Sequence, residues 1–106
     1  MIVIVVFAPV EHADRVRDAL AGAGAGHVGN YSACSFSARG QGRFRPESGA
    51  NPTIGSLGSL EVVEEVRIEA VCPRDRAKAA VAAMIEAHPY EKVAYHCYEA
   101  LTIEDL

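Results

Sequence analysis

Near the C-terminal end of the chain stands Ala87-His88-Pro89-Tyr90-Glu91, which sets an imidazole, a phenol and a carboxylate within four residues. Such a set can hold a proton or help ligate a metal ion. An imidazole at the end of a helix is favoured as a cation by the helix macrodipole, and Glu91 is near enough in sequence to hold it. The plainer reading of the same residues is a capping His followed by a Pro stop signal. Gly29-Asn30-Tyr31 and Asn51-Pro52 are a second kind of candidate. Gly lets a backbone N–H approach a ligand closely and Asn tolerates positive φ, yet both segments also make ordinary turns.

A metal ion would find suitable donors in His27, Cys34, His88, His96 and Cys97, which are zinc and copper ligands by type. None of them shows an HxxxH or CxxC spacing, and Cys commonly behaves as a small buried hydrophobe. A divalent metal is therefore an alternative cofactor, and none is required. Catalytic signatures are missing. There is no GxSxG elbow and no P-loop, and Gly40-x-Gly42 lacks the rest of a dinucleotide fingerprint. Glu64 and Glu65 are neighbours on a predicted strand, so they face opposite sides and make poor acid–base partners.

These groups must be positioned by a chain of 106 residues, which suffices for one domain with one core. Half of the residues are apolar and the net charge is −4. That balance argues against nucleic acid as a partner, because non-specific binding is carried by clustered Lys and Arg. Arg39, Arg43 and Arg45 form a local basic patch that either solvates a loop or holds a small anion. The apolar start, Ile2 to Phe7, has no basic region before it and is too short to cross a bilayer, so a membrane is not expected as a partner. Three cysteines without close spacing point to a reducing, cytoplasmic compartment.

Periodicity predicts the elements. Ile2–Phe7 reads as a strand apolar on both faces. Pro9 opens a helix to about Ala23, with Ala13, Val16, Leu20 and Ala23 as its stripe. A second strand runs from about Tyr31 to Phe44, with Cys34, Phe36 and Ala38 on one face. A long loop covers about 45–59. A third strand spans about Leu60 to Cys72, with Val66, Ile68 and Ala70 inward and Glu65, Arg67 and Glu69 outward. Pro73 starts a second helix with Ala77, Val81, Met84 and Ile85 as its core stripe, and Tyr90–Leu101 is the last strand. The order β-α-β-β-α-β predicts an α+β, ferredoxin-like sandwich, a four-stranded antiparallel sheet with both helices on one face. The first strand then poses a problem, since it is apolar on both sides, Ile2, Ile4 and Val6 against Val3, Val5 and Phe7, and the helices cover only one of them. Self-association, as trimer or dimer, or a loop folded over it, is expected to cover the second face.

Five spaced motifs carry a resemblance. Gly29-Asn30-Tyr31-x-x-Cys34-x-Phe36, Gly40-x-Gly42-x-Phe44-x-Pro46, Asn51-Pro52-x-Ile54-Gly55, Glu64-Glu65-Val66-Arg67-Ile68 and His88-Pro89-Tyr90-Glu91 resemble the PII/CutA-like domain inserted in the dimetal-binding YqfO, or Nif-three-like, proteins. The resemblance implies the fold of PII and CutA proteins, which are commonly trimers, and a ligand cleft between neighbouring subunits. It implies no dimetal site, because the family's metal ligands lie in a part with no counterpart here. The expected function is a non-catalytic, homo-oligomeric binding or regulatory module, a stand-alone form of the insert. Asn30, Tyr31, Cys34, Asn51, His88, Tyr90 and Glu91 are expected to line its cleft. A copper- or zinc-binding protein of CutA type is the alternative, a metal-dependent hydrolase ranks last, and a separate metal-binding protein is a candidate partner.

Overall fold

Residues 2–9 are the centre of the molecule because antiparallel neighbours flank them on both sides. In the computed structural model, which describes residues 1–106, β1 (Ile2–Pro9) lies between β3 (Glu61–Cys72) and β4 (Tyr95–Glu99). β2 (Phe36–Phe44) pairs with the outer side of β3, so the sheet order is β2-β3-β1-β4. α1 (Ala13–Gly22) follows β1 and α2 (Arg74–Ala87) follows β3. The result is the expected ferredoxin-like α+β arrangement.

Alternation decides what is buried. Ile2, Ile4, Val6 and Ala8 of β1, with Val66, Ile68, Ala70 and Cys72 of β3, pack against Ala13, Val16 and Leu20 of α1 and Ala80 and Met84 of α2. One face of each strand and one stripe of each helix thus make a single core. α2 uses Ala77, Ala80, Val81 and Met84, while Ile85 is exposed. At 3.6 residues per turn the step from 81 to 84 stays over the sheet, and residue 85 turns past its edge. α1 begins at Ala13 after a single 3-10 turn, Val10–His12, rather than at Pro9.

β2 differs most from expectation. It starts at Phe36, because Gly26 to Cys34 closes a loop of its own. Val28 and Tyr31 exchange two backbone hydrogen bonds around Gly29-Asn30, and the Cys34 N–H donates to the Gly26 carbonyl at 2.9 Å. The polar face of β2 is the inner one. Ser37 is on the helix side, where Arg17 Nε donates to its hydroxyl at 3.0 Å, and Phe36 lies on the open side, 70% exposed. As an edge strand at the margin of the helix layer, β2 can carry a polar inner face.

The open face of β1 is covered within one protomer. Val3 and Val5 are buried, Val5 fully, and only Phe7 is partly exposed. Val5 shares a rung with Glu69 and His96, and Val3 with Val71 and Tyr98. The larger side chains of the flanking strands form a layer above the valines, including the stacked pair His96 and Tyr98 with ring centroids 6.4 Å apart. A second copy is therefore not needed to dry β1, which corrects the inference from its two greasy sides.

β1 pairs with β3 only from Glu65 onward, whereas β2 follows β3 to Glu61. The β2–β3 hairpin consequently projects beyond the sheet as a two-stranded arm. Where that arm leaves the sheet, its long connection folds back.

Candidate binding cleft

Pro89 ends α2, since it supplies no N–H to continue the helix. His88 leaves the helix in an extended conformation, φ −78° and ψ 140°, and its ring turns inward. The Tyr90 N–H donates to His88 Nδ1 at 3.1 Å, and His88 Nε2 lies 2.6 Å from the Phe7 carbonyl. A carbonyl only accepts, so the proton sits on Nε2 and the ring is neutral, with both nitrogens occupied. Burial lowers the His88 pKa below its ordinary value, outweighing the Phe7 carbonyl and the Glu65 charge, which act the other way. The imidazole is thus a structural strut between α2 and β1. The cation paired to Glu91 that its helix-terminal position suggests does not form, because desolvation outweighs the macrodipole.

Tyr90 follows at the base of the open face. Its hydroxyl donates to Glu65 Oε2 at 2.9 Å, and its ring meets Phe44 edge-on with centroids 5.8 Å apart. Burial, then the hydrogen bond and the charge of Glu65, push the phenol pKa well above its usual value. Glu65, read as an outward-facing strand residue, is only 8% exposed. Its parity does place it on the open face, opposite Gly40, but that part of the face has a roof. Gly42 makes room for it, since a Cβ there would overlap the Glu65 carboxylate.

The roof is the 45–60 loop. The Asn51 N–H donates to Glu91 Oε2 at 2.9 Å, the Thr53 hydroxyl to the Pro89 carbonyl at 2.8 Å, and the Gly58 N–H to the Pro46 carbonyl at 2.7 Å. Between loop and sheet lies a cleft of about 670 Å³, with Phe7, Phe44, Ile54, Glu65, Tyr90 and Glu91 among its lining residues. It lies within one protomer.

The seven residues singled out in the sequence separate into two groups. Tyr90 and Glu91 line the cleft, Asn51 latches its rim through a backbone amide, and His88 lies buried beneath. Asn30, Tyr31 and Cys34 are at the opposite end of the sheet. Their loop is tied by the Gly26 N–H to the Val71 carbonyl, six residues along β3 from Glu65, or roughly 20 Å at strand rise. No group of three or more His, Cys, Asp or Glu side chains is arranged to hold a metal ion. Sequence reasoning missed Glu65, Gly42 and Phe44. The signal was present in Gly40-x-Gly42-x-Phe44, because period two puts two residues without side chains and one aromatic on the same face of a strand.

The strand order, the one-sided helices and the roofed open face define a ferredoxin-like α+β domain of PII/CutA type. No family model matches the chain. CutA1 from Pyrococcus horikoshii superposes with a TM-score of 0.71 at 18% identity, over 97% of this chain and 86% of that one. A Bacillus cereus protein related to NIF3 superposes at 0.80 with 52% identity, over 92% of this chain and 24% of that one. In sequence, the chain is 54% identical over 95 residues to the GTP cyclohydrolase 1 type 2 homolog of Halalkalibacterium halodurans, covering 90% of this chain and 26% of the relative. It is 53% identical over 95 residues to the protein of that name from Bacillus subtilis. Over about nine tenths of its length the chain is thus similar to one segment of the YqfO, NIF3-related proteins. It spans about a quarter of the length of the curated relatives it matches.

Proposed function

We propose that this domain is a non-catalytic binding and regulatory module that takes a small ligand in the cleft between the 45–60 loop and the open sheet face. One observation carries the reading. Four of the five spaced motifs, which are far apart in sequence, supply the walls of that one cavity: Gly42 and Phe44, Ile54, Glu65, and Tyr90 with Glu91. A concave site with apolar walls and a few convergent polar groups is the usual form of a small-molecule pocket.

Catalysis is not part of the proposal. The cleft's one hydrogen-bonded acid pair is Glu65 and Tyr90, and a phenol held well above its usual pKa is a poor proton donor or acceptor near neutral pH. The name of the curated relatives belongs to proteins about four times as long as the matched segment. The module acts as a homo-oligomer in the cytoplasm, with a separate metal-binding protein as a further candidate partner. Self-association is supported by the likeness of the fold to CutA and by exposed Phe36, Val62, Tyr98 and Leu101.

The test is a thermal-shift screen of small metabolites against the wild type and Phe44→Ala. A ligand that binds only the folded state raises the Tm, by the equivalent of about 2.7 kcal/mol at a hundred times its Kd. Loss of the shift in Phe44→Ala supports the cleft. Equal shifts in both proteins place the ligand elsewhere and refute the reading.

A further inference from the structure

We infer that the cleft selects planar small molecules that present an N–H donor at one end, bound by Glu65, and an acidic group at the other. This deepens the proposed binding role and rests on it. Glu65 is the starting point. Oε2 accepts from the Tyr90 hydroxyl, while Oε1 has no hydrogen-bond partner in the protein. No fully buried polar side-chain atom is without a partner, so this free oxygen meets solvent through the cleft that Glu65 lines.

No cation forms an ion pair with the carboxylate. The ion pairs of the chain are Arg17–Asp14, Arg67–Glu69 and Arg74–Glu99. Arg67, which shares the open face with Glu65, is thus engaged by Glu69, and His88 is neutral. A carboxylate largely removed from water and held by one neutral donor lacks part of the compensation that burial demands. A ligand N–H reaching Oε1 supplies it. Gly40 leaves the sheet bare beside Glu65, whose carboxylate fills the space over Gly42, and Phe44 offers a ring wall, so the space admits a flat body.

The rest of the lining sets the opposite requirement. Arg45 and Lys92 border the same cleft and are in none of the ion pairs, while Arg39 and Arg43 alternate onto the helix side of β2. Beside Arg45 and Lys92 a carboxylate or phosphate on the far side of the ring is drawn in. The two requirements together describe a planar donor that carries an acid.

Three probes separate the parts: para-amidinobenzoate, with donor and acid, benzoate, with acid only, and benzamidine, with donor only. Each is titrated into the 106-residue chain and followed by amide chemical shifts of the cleft residues. In the wild type, para-amidinobenzoate is expected to bind tightest. In Glu65→Gln, which keeps the shape of the side chain, it should weaken about tenfold or more, the worth of a hydrogen bond to a charged group, while benzoate stays within about twofold. If benzoate and para-amidinobenzoate bind the wild-type cleft equally, the inference fails whatever the variant does. Equal binding of para-amidinobenzoate to wild type and Glu65→Gln overturns it as well, and the small-molecule cleft survives both results. If no probe shifts any cleft resonance at millimolar concentration, the cleft reading and this inference fall together.

Discussion

The Tyr90 hydroxyl donates to Glu65 Oε2 at 2.9 Å across 25 residues of sequence, and this contact joins the turn after α2 to the middle of β3. Replacing the phenol leaves the inner oxygen, Glu65 Oε2, with no protein donor. Tyr90→Phe is therefore expected to destabilise the fold by roughly 1–3 kcal/mol, the cost of an unsatisfied buried polar group. Chemical denaturation measures it. The double variant Tyr90→Phe with Glu65→Leu should recover most of the loss, because the orphaned charge goes with it, and no recovery would show that the hydrogen bond is not the source.

Gly42 is required by the same pair. A Cβ at this position meets the Glu65 carboxyl group, the movable end of a side chain, so Gly42→Ala should push Glu65 off Tyr90 and not break the strand. We expect a loss of about 1–3 kcal/mol, in the range of overpacking. In a Glu65→Ala background that loss should fall to a few tenths, since nothing remains to collide. A double-mutant cycle reads the difference, and simple additivity would refute the contact.

His88 predicts a pH dependence whose sign follows from its lowered pKa. The folded state binds the neutral ring, and the unfolded chain titrates near 6.5. Between the lowered folded value and 6.5 the unfolded state holds more protons, so stability rises with pH there. The contribution is complete above 6.5 and is lost as pH falls below it through the folded pKa. Urea midpoints measured between about pH 7 and 5 should drop in the wild type more than in His88→Gln. Parallel slopes would mean that His88 is not buried as a neutral strut.

The loop latch makes a kinetic prediction. The roof is held to the HPYE turn by the Asn51 amide on Glu91 and the Thr53 hydroxyl on the Pro89 carbonyl. Both contacts are exposed, so their loss should open the roof locally and spare the core. Glu91→Ala with Thr53→Ala is expected to speed amide exchange at Asn51 and Gly58 by about tenfold, while Ile4 and Ile68 exchange as before. Unchanged protection at Asn51 would mean that other contacts hold the loop.

How much of this was legible beforehand depends on the reach of the interaction. β1, β3, α1 and α2 follow from alternation and helical stripes because their burial is set by near neighbours in sequence, as with Ile4, Ile68 and Leu20. The inner face of strand β2 was not legible, because an edge strand answers to one helix side chain, Arg17, and not to a core. Glu65 was legible as to face and not as to burial, since its cover arrives from residues 45–60 and 88–91. The motifs themselves were visible, but their convergence on one cavity is a property of the tertiary fold.

The burial of Val3 and Val5 within one protomer moves the question of self-association to other surfaces. Phe36 is the largest apolar side chain left bare on the open face, 70% exposed on edge strand β2. Tyr98 lies on the same face of the opposite edge strand β4. If copies of the chain pair through this face, Phe36→Lys should reduce the native mass to that of one chain, because a buried unpaired ammonium is costly at an interface. The fold itself should change by no more than about 0.5 kcal/mol, as an exposed substitution touches no core contact. Light scattering at several concentrations, with unfolding curves on the same samples, checks both. An oligomer that survives Phe36→Lys but is lost on Tyr98→Lys assigns the contact to the β4 edge, and one that survives both variants does not use the open face.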